Sequence, residues 1–427
     1  MEGILSLGKQ TFSSLGVRNY RLYFVGQAFS VSGNWMQTVA LGWLVLQMTG
    51  SGTLLGALLA FRFTPMLFLG PFGGAIVDRF EKRSLLYVTQ SLRGLFALIL
   101  SVLVFTGMTQ LWMLYLLALL TGAVNAIDNP ARQTFVHEMV GRDNLRNAVT
   151  LNSTQSNLAR VVGPAIAGVV IATIGIAACF LLNALSFLAV LVMLSLMRTG
   201  ELHSEHRDTR VPRGWLAVLP YLKTMPILRS ILIAMAVIGT LAYEFQVSLP
   251  LLAQGTFMGN AADYAALLSA MGAGSVVGGL FSASRRAVAA NEFVLWALLF
   301  GVSLCATAVM PTLGLATIGM IFVGFFSICM TSTANTILQL ESSADMRGRV
   351  MSLWSMAIFG STLVGGPLIG VIGEFIGPRW ALGVGGAGAV FAALFAGYRM
   401  LGRERIFTIP AWLDIRRQET NTGNTKL

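Results

Sequence analysis

The sequence predicts an all-α, polytopic membrane protein of about twelve spanning helices. Three observations carry that prediction. The 427 residues are 55% hydrophobic and only 11% charged, and the mean hydropathy is +0.73, beyond what a domain with a solvated surface carries. The apolar residues fall into runs of roughly 20 or more, the length that crosses a bilayer as helix. The runs are continuous, whereas barrel strands would be about half as long and alternate in polarity.

Taken in order, the runs cover residues 22–46, 53–77, 85–105, 111–128, 148–173, 177–197, 227–252, 264–282, 293–310, 313–334, 350–373 and 380–400. Each is bounded by a short polar or charged break. The long polar stretch in the centre (HSEHRDTRVPRG) divides them into two sets of six. The expected organisation is an N-terminal six-helix half (1–197), a central cytoplasmic loop (198–226), a C-terminal six-helix half (227–400) and a cytoplasmic tail (401–427), as in transporters built from two related halves. A weak internal repeat agrees: Asn129 and Gln133 are echoed by Asn335 and Gln339, and Gly163-Pro164 by Gly366-Pro367.

A net charge of +11 would suit nucleic acid, but the basic residues are segregated by topology instead. Alternating the spans puts Arg18, Arg21, Arg79, Lys82, Arg83, Arg146, Arg285, Arg347, Arg349 and Arg403 on one side and leaves Arg379 on the other. The positive-inside rule then makes both termini cytoplasmic. The expected location is the inner (cytoplasmic) membrane, with lipid as surroundings and no nucleic-acid partner. No cleavable signal is expected, since the first run is long enough to remain as a span. Cys179, Cys305 and Cys329 lie in apolar runs without paired spacing, and His137, His203 and His206 form no ligand constellation, so neither disulfide, metal nor cofactor is expected. GILSLGKQ near the start fails as a phosphate loop because Gln10 stands where a hydroxyl is needed.

The densest charge lies in GGAIVDRFEKR, between the second and third runs. Gly74 permits close helix approach, and Asp78 stands at the membrane edge, where a carboxylate can face the positive N-terminus of another helix. The pattern Gly74, Asp78, Arg79, Lys82, Arg83 resembles the cytoplasmic signature of the major facilitator superfamily, with Glu81 in place of its usual Gly. That resemblance implies a gate held shut by Asp78 against the start of the eleventh span near Arg347, with Arg79 and Arg83 bridging neighbouring acids. The second-half copy, GGLFSASRR, lacks the Asp. The phrases NYRLYFVGQAFSVSGNWMQTVALGWLVLQMTGS, DNPARQTFVHEMVGRDNLRNAVTLNS and MRGRVMSLWS resemble the bacterial exporter branch of enterobactin-exporter-like proteins and drug:proton antiporters. This implies proton-driven efflux, with substrates ranging from siderophores to drugs. Gly163 and Pro164 resemble the antiporter motif of the fifth span, as a hinge or as a packing kink. The arginine that drug exporters carry in the fourth span has no counterpart within 111–128.

Ionised groups in mid-span cost on the order of 3 kcal/mol or more, so they face a cavity or a partner. Arg62, Arg160 and Glu244 are such groups. Glu244 is the candidate proton carrier, with helix-to-helix hydrogen bonding as its alternative role; Arg62 and Arg160 are grouped with it as candidates for coupling. Gln27, Ser30, Asn34 and Gln37 recur at helical spacing along the first run and line one face. With Trp35, Asn125, Asp128, Tyr243 and Gln246 they are candidate substrate contacts, amides in spans also serving as glue between helices.

The expected function is secondary active export of a small amphipathic molecule, siderophore-like or drug-like, by proton antiport and alternating access, carried out by a monomer. The rivals are an importer or facilitator and, in another class, a membrane enzyme or assembly factor. The latter would need a convergent catalytic set, which the sequence does not offer.

Overall fold

The computed structural model describes residues 12–203, 218–285, 288–343 and 345–401. Among the described residues there is no strand. The long helices are α1 (Arg18–Thr49), α2 (Gly52–Arg79), α3 (Lys82–Phe105), α4 (Leu111–Gly141), α5 (Asn144–Thr173) and α6 (Ile176–Ser195), followed by α7 (Pro226–Thr256), α8 (Ala261–Ser284), α9 (Ala290–Ala308), α10 (Leu313–Glu341), α11 (Arg347–Ile376) and α12 (Pro378–Leu401). Eleven of them, α2 to α12, are long and apolar enough to cross a membrane. At 32 residues α1 has the length but is too polar over any one window. Its polarity is turned inward, with Gln27 and Ser30 buried.

Local chemistry fixes where helices start and stop. Gly50, at φ 63°, ends α1 in the left-handed conformation a side chain resists, and Ser51 then caps α2 by accepting from the Leu54 N–H at 3.2 Å. Asn260 opens α8 with a reciprocal capping box: its side chain accepts from the Ala262 N–H at 2.8 Å, and Asp263 accepts from the Asn260 N–H at 2.8 Å.

Two expectations about the helices need correction. The fourth and fifth runs were separated by a polar loop from 129 to 147, yet helix continues from both sides to a single break at Gly141, φ 66°. The charges there have inward partners: Arg132 reaches Asp128 and Lys82 pairs with Glu138 at 3.6 Å. The seventh run, expected to be one helix, breaks after Leu241 and resumes at Phe245, so that Glu244 sits at the cap of the second piece.

Helices α1 to α6 pack mainly among themselves, as do α7 to α12, and the two bundles join along α2 with α11 and α5 with α8. Small residues make these joints tight. A Cβ on Gly56 of α2 would collide with the carbonyl of Gly366 on α11, and one on Gly168 of α5 would sit 3.0 Å from Ala265 of α8. Just beyond the α2–α11 crossing, the Glu374 carboxylate of α11 accepts from the Ser51 hydroxyl at 2.6 Å and from the Thr53 N–H at 2.9 Å, at the start of α2. At the opposite end the same two helices diverge. Asp78, Arg79 and Arg347 are exposed there, and a Cβ on Gly74 or Gly348 would meet open space. The close approach expected at Gly74 is made by its neighbour instead, Gly73 lying against the Ala126 carbonyl of α4. The central stretch 204–217 and the tail 402–427 lie outside the described residues.

Candidate functional site

The polar face of α1 meets four arginines, each from a different helix. Arg132 of α4 donates to the Gln27 side chain at 3.2 Å, and Arg93 of α3 to that of Asn34 at 2.8 Å. Arg160 of α5 lies over the Trp35 ring at 5.7 Å, and Arg62 of α2 donates to the Thr38 hydroxyl at 3.3 Å. The i, i+3 and i+4 geometry of a helix makes this possible, since Gln27, Asn34 and Thr38 share one stripe and Trp35 flanks it.

One carboxylate answers them. Asp128 of α4, fully buried, accepts from Arg93 at 2.8 Å and lies 2.9 Å from the Arg132 Nε, while its other oxygen accepts from Thr89 and Gln90 at 2.7 Å each. Asp128 was expected as a substrate contact, but both its oxygens are already bound by protein, so its place is to hold two arginines. Arg93 also stacks on Phe187 of α6 at 4.8 Å. Gln37 accepts from Asn183 of α6 and lines a crevice with Arg62, Leu41, Leu114 and Leu117. Asn125, half-buried, lies three residues before Asp128 on the same helix.

Across the interface, α7 contributes Tyr243, Glu244 and Gln246 around its break. The Tyr243 hydroxyl and Ser327 of α10 are 2.6 Å apart, and the phenol is within electrostatic reach of Arg160. Glu244 is buried, at 3% exposure, and faces α11: its Oε1 would be 2.8 Å from a Cβ on Gly365, its side chain approaches Thr362, and that Oε1 has no hydrogen-bond donor. Gly365 is followed by Gly366, the residue that crosses Gly56. Glu244 therefore sits directly behind the α2–α11 joint. The Gln246 side-chain oxygen is likewise buried without a donor.

The gate candidates are spread more widely. Gly163 packs against α1, a Cβ there falling 2.5 Å from that of Trp35, and Pro164 follows inside α5. Arg83 does not bridge acids as expected: it donates to the Leu194 carbonyl at the end of α6, at 2.9 Å and 3.2 Å, tying α3 to α6. Arg347 donates to the Ser342 carbonyl at 3.4 Å.

Reasoning from sequence missed Arg93, Arg132 and Glu374. Arg93 carried the signal that selected Arg62, a charge inside an apolar run. Arg132 stands four residues after Asp128, one helical turn, but beyond the expected end of the span. It supplies a fourth-helix arginine where none was expected. Glu374 lies one residue outside its run, and only the tertiary contact reveals it.

Comparison with known proteins places this architecture. A family model described as transmembrane secretion effector matches residues 9–406. The staphyloferrin A transporter of Staphylococcus aureus is 27% identical over 345 residues, covering 78% of this chain and 85% of that protein. The enterobactin exporter EntS of Citrobacter koseri is 25% identical over 395 residues, covering 92% and 94%. Among solved structures, a bacterial homologue of the lysosomal transporter Spinster, inward-facing and occupied, superposes with a TM-score of 0.71 at 13% identity over 92% of this chain and 99% of that one. A peptide transporter bound to alafosfalin gives 0.72 at 13% identity over 88% and 93%. At that identity the structures speak for the fold alone, whereas the family match spans nearly the whole chain. The protein is a multi-pass membrane transporter that belongs to the transmembrane secretion effector family of the major facilitator superfamily.

Proposed function

We propose that the protein exports a small amphipathic solute from the cytoplasm across the inner membrane in exchange for protons, as a monomer with both termini cytoplasmic. In that orientation the α2–α11 crossing closes the external end, and the divergent ends near Asp78 and Arg347 open to the cytoplasm. Solute then enters from inside, and rocking of the two bundles exposes it outside.

The observation that carries the coupling is the position of Glu244. A buried carboxylate with an unpartnered oxygen is costly when ionised and much less so when protonated. Because it abuts Gly365, next to the Gly56–Gly366 contact, its charge acts on the joint that must open. Protonated, it lets α7 and α11 stay packed; ionised, it favours a state in which water reaches it. Arg62 and Arg160 stay charged throughout, since guanidinium does not deprotonate in proteins, so their share in coupling is to set the field and not to carry a proton.

The test uses proteoliposomes with an imposed pH gradient and a fluorescent solute panel. Glu244→Gln is expected to abolish gradient-driven movement while leaving counterflow exchange intact. Unaltered pH-dependent movement in that variant removes the reading.

A further inference from the structure

We infer that the solute crosses as an organic anion whose carboxylates pair with Arg160 and Arg62, the former against Trp35 and the latter against Thr38 and Gln37. The inference rests on the transport reading and deepens it by naming the chemistry of the cargo.

Charge accounting along α1 is one-sided. Four arginines (Arg62, Arg93, Arg132, Arg160) face a single carboxylate, Asp128, leaving a surplus of three positive charges at membrane depth. Asp128 is consumed by Arg93 and Arg132. Among the described residues no carboxylate lies within ion-pair distance of Arg62 or Arg160; the contacts they make are a hydroxyl and an indole face. Glu244, the acid of the opposite wall, is turned to Gly365 and Thr362 of α11. A guanidinium taken from water without a counter-charge is costly, and the cost is relieved when an anion joins it.

Of the two arginines without a carboxylate, Arg160 stands between the bundles and Arg62 inside the N-terminal bundle. Arg160 is exposed to the space between the bundles: its ring partner is on α1, Tyr243 is on α7, and its own carbonyl abuts Gly272 of α8. Arg62 opens on the crevice shared with Gln37, Leu41, Leu114 and Leu117. Trp35 and Thr38 are three residues apart, about 4.5 Å along the helix axis. The two guanidinium groups thus attend positions less than one turn apart on α1, and each fork matches carboxylate geometry in a bidentate manner. The indole and the leucines take its apolar part. A cationic solute would meet a net surplus of three like charges on this wall.

The probe pair is carboxyfluorescein, an amphipathic anion, and rhodamine 6G, an aromatic cation of similar size. Binding is read by fluorescence polarisation with the purified full-length protein in detergent, without any gradient. Carboxyfluorescein is expected to bind and to be displaced by tricarballylate but not by its triamide. Arg160→Gln and Arg62→Gln are each expected to weaken binding tenfold or more, with Arg160→Lys recovering part of it, and monodisperse elution confirms that the variants are folded. Tighter binding of rhodamine 6G, no carboxylate binding, or unchanged affinity in both folded Gln variants overturns the inference. Gradient-driven movement of rhodamine 6G alone would leave the transport reading standing without this one. Carboxyfluorescein that binds but does not move under any gradient would overturn the transport reading and, with it, the crossing of the anion.

Discussion

The two ends of the α2–α11 pair have the same design and opposite states. At one end Asp78 stands at the close of α2 where that helix and the start of α11 diverge; at the other Glu374 closes α11 and bonds the start of α2. Only the second is engaged: Glu374 holds Ser51 and the Thr53 N–H, while Asp78 and Arg347 are exposed. The carboxylate of each latch belongs at a helix N-terminus, where the dipole and free N–H groups favour negative charge. The difference teaches that a motif can mark the disengaged member of a pair. Its working counterpart, a single Glu after an apolar run, carries no motif at all.

The comparison can be broken most forcefully at the crossing itself. Gly56→Leu places a side chain into the Gly366 backbone, and since the obstructing atom is main chain, the end cannot close. External labelling of a cysteine at Leu251, beside this seam, should rise tenfold or more in a background lacking Cys179, Cys305 and Cys329, and transport should be lost. Unchanged labelling would mean the seam is not the outer closure.

The next largest effect is expected away from both latches. Asp128→Asn leaves the buried Arg93 and the half-buried Arg132 without their carboxylate, and breaking a buried pair such as Arg93–Asp128 typically costs about 3–5 kcal/mol. A thermal unfolding midpoint lowered by many degrees would agree; an unchanged one would show that Gln27, Asn34 and Asn129 suffice. Glu374→Gln keeps the shape and removes the charge, so external labelling at Leu251 should rise only a few-fold. Asp78→Asn breaks no hydrogen bond or ion pair among the described residues in this state. It should leave the unfolding midpoint within the scatter of surface substitutions, about 0.5 kcal/mol, yet increase labelling of cysteines in the opposite mouth by depopulating the state in which that end closes.

How much was legible beforehand follows from what each feature depends on. The fold was, because hydropathy alone reports spans, and eleven of them were apolar enough to show it. The first helix was legible only through its amide stripe, Gln27, Asn34 and Gln37, since burial of polar groups depends on neighbours. Glu244 and Arg62 stood out as charges in apolar surroundings. What Asp128 does was not legible: its partners Thr89, Gln90 and Arg93 are on another helix, and the Arg132 that completes the set lay in what read as a loop. The break at 242–244 holds no proline or glycine itself, and Gly239 and Pro250 on either side of it do not mark its place.

The polarity of α1 has a consequence for how the protein is made. Synthesised ahead of α2 to α6, α1 carries Gln27, Asn34 and Gln37 before their partners Arg132, Arg93 and Asn183 exist. Alone it is less favourable in lipid than its neighbours, and its polar stripe is fully partnered only once the sixth span supplies Asn183. A chain truncated after α4, which lacks Arg160 and Asn183, should leave α1 accessible to protease.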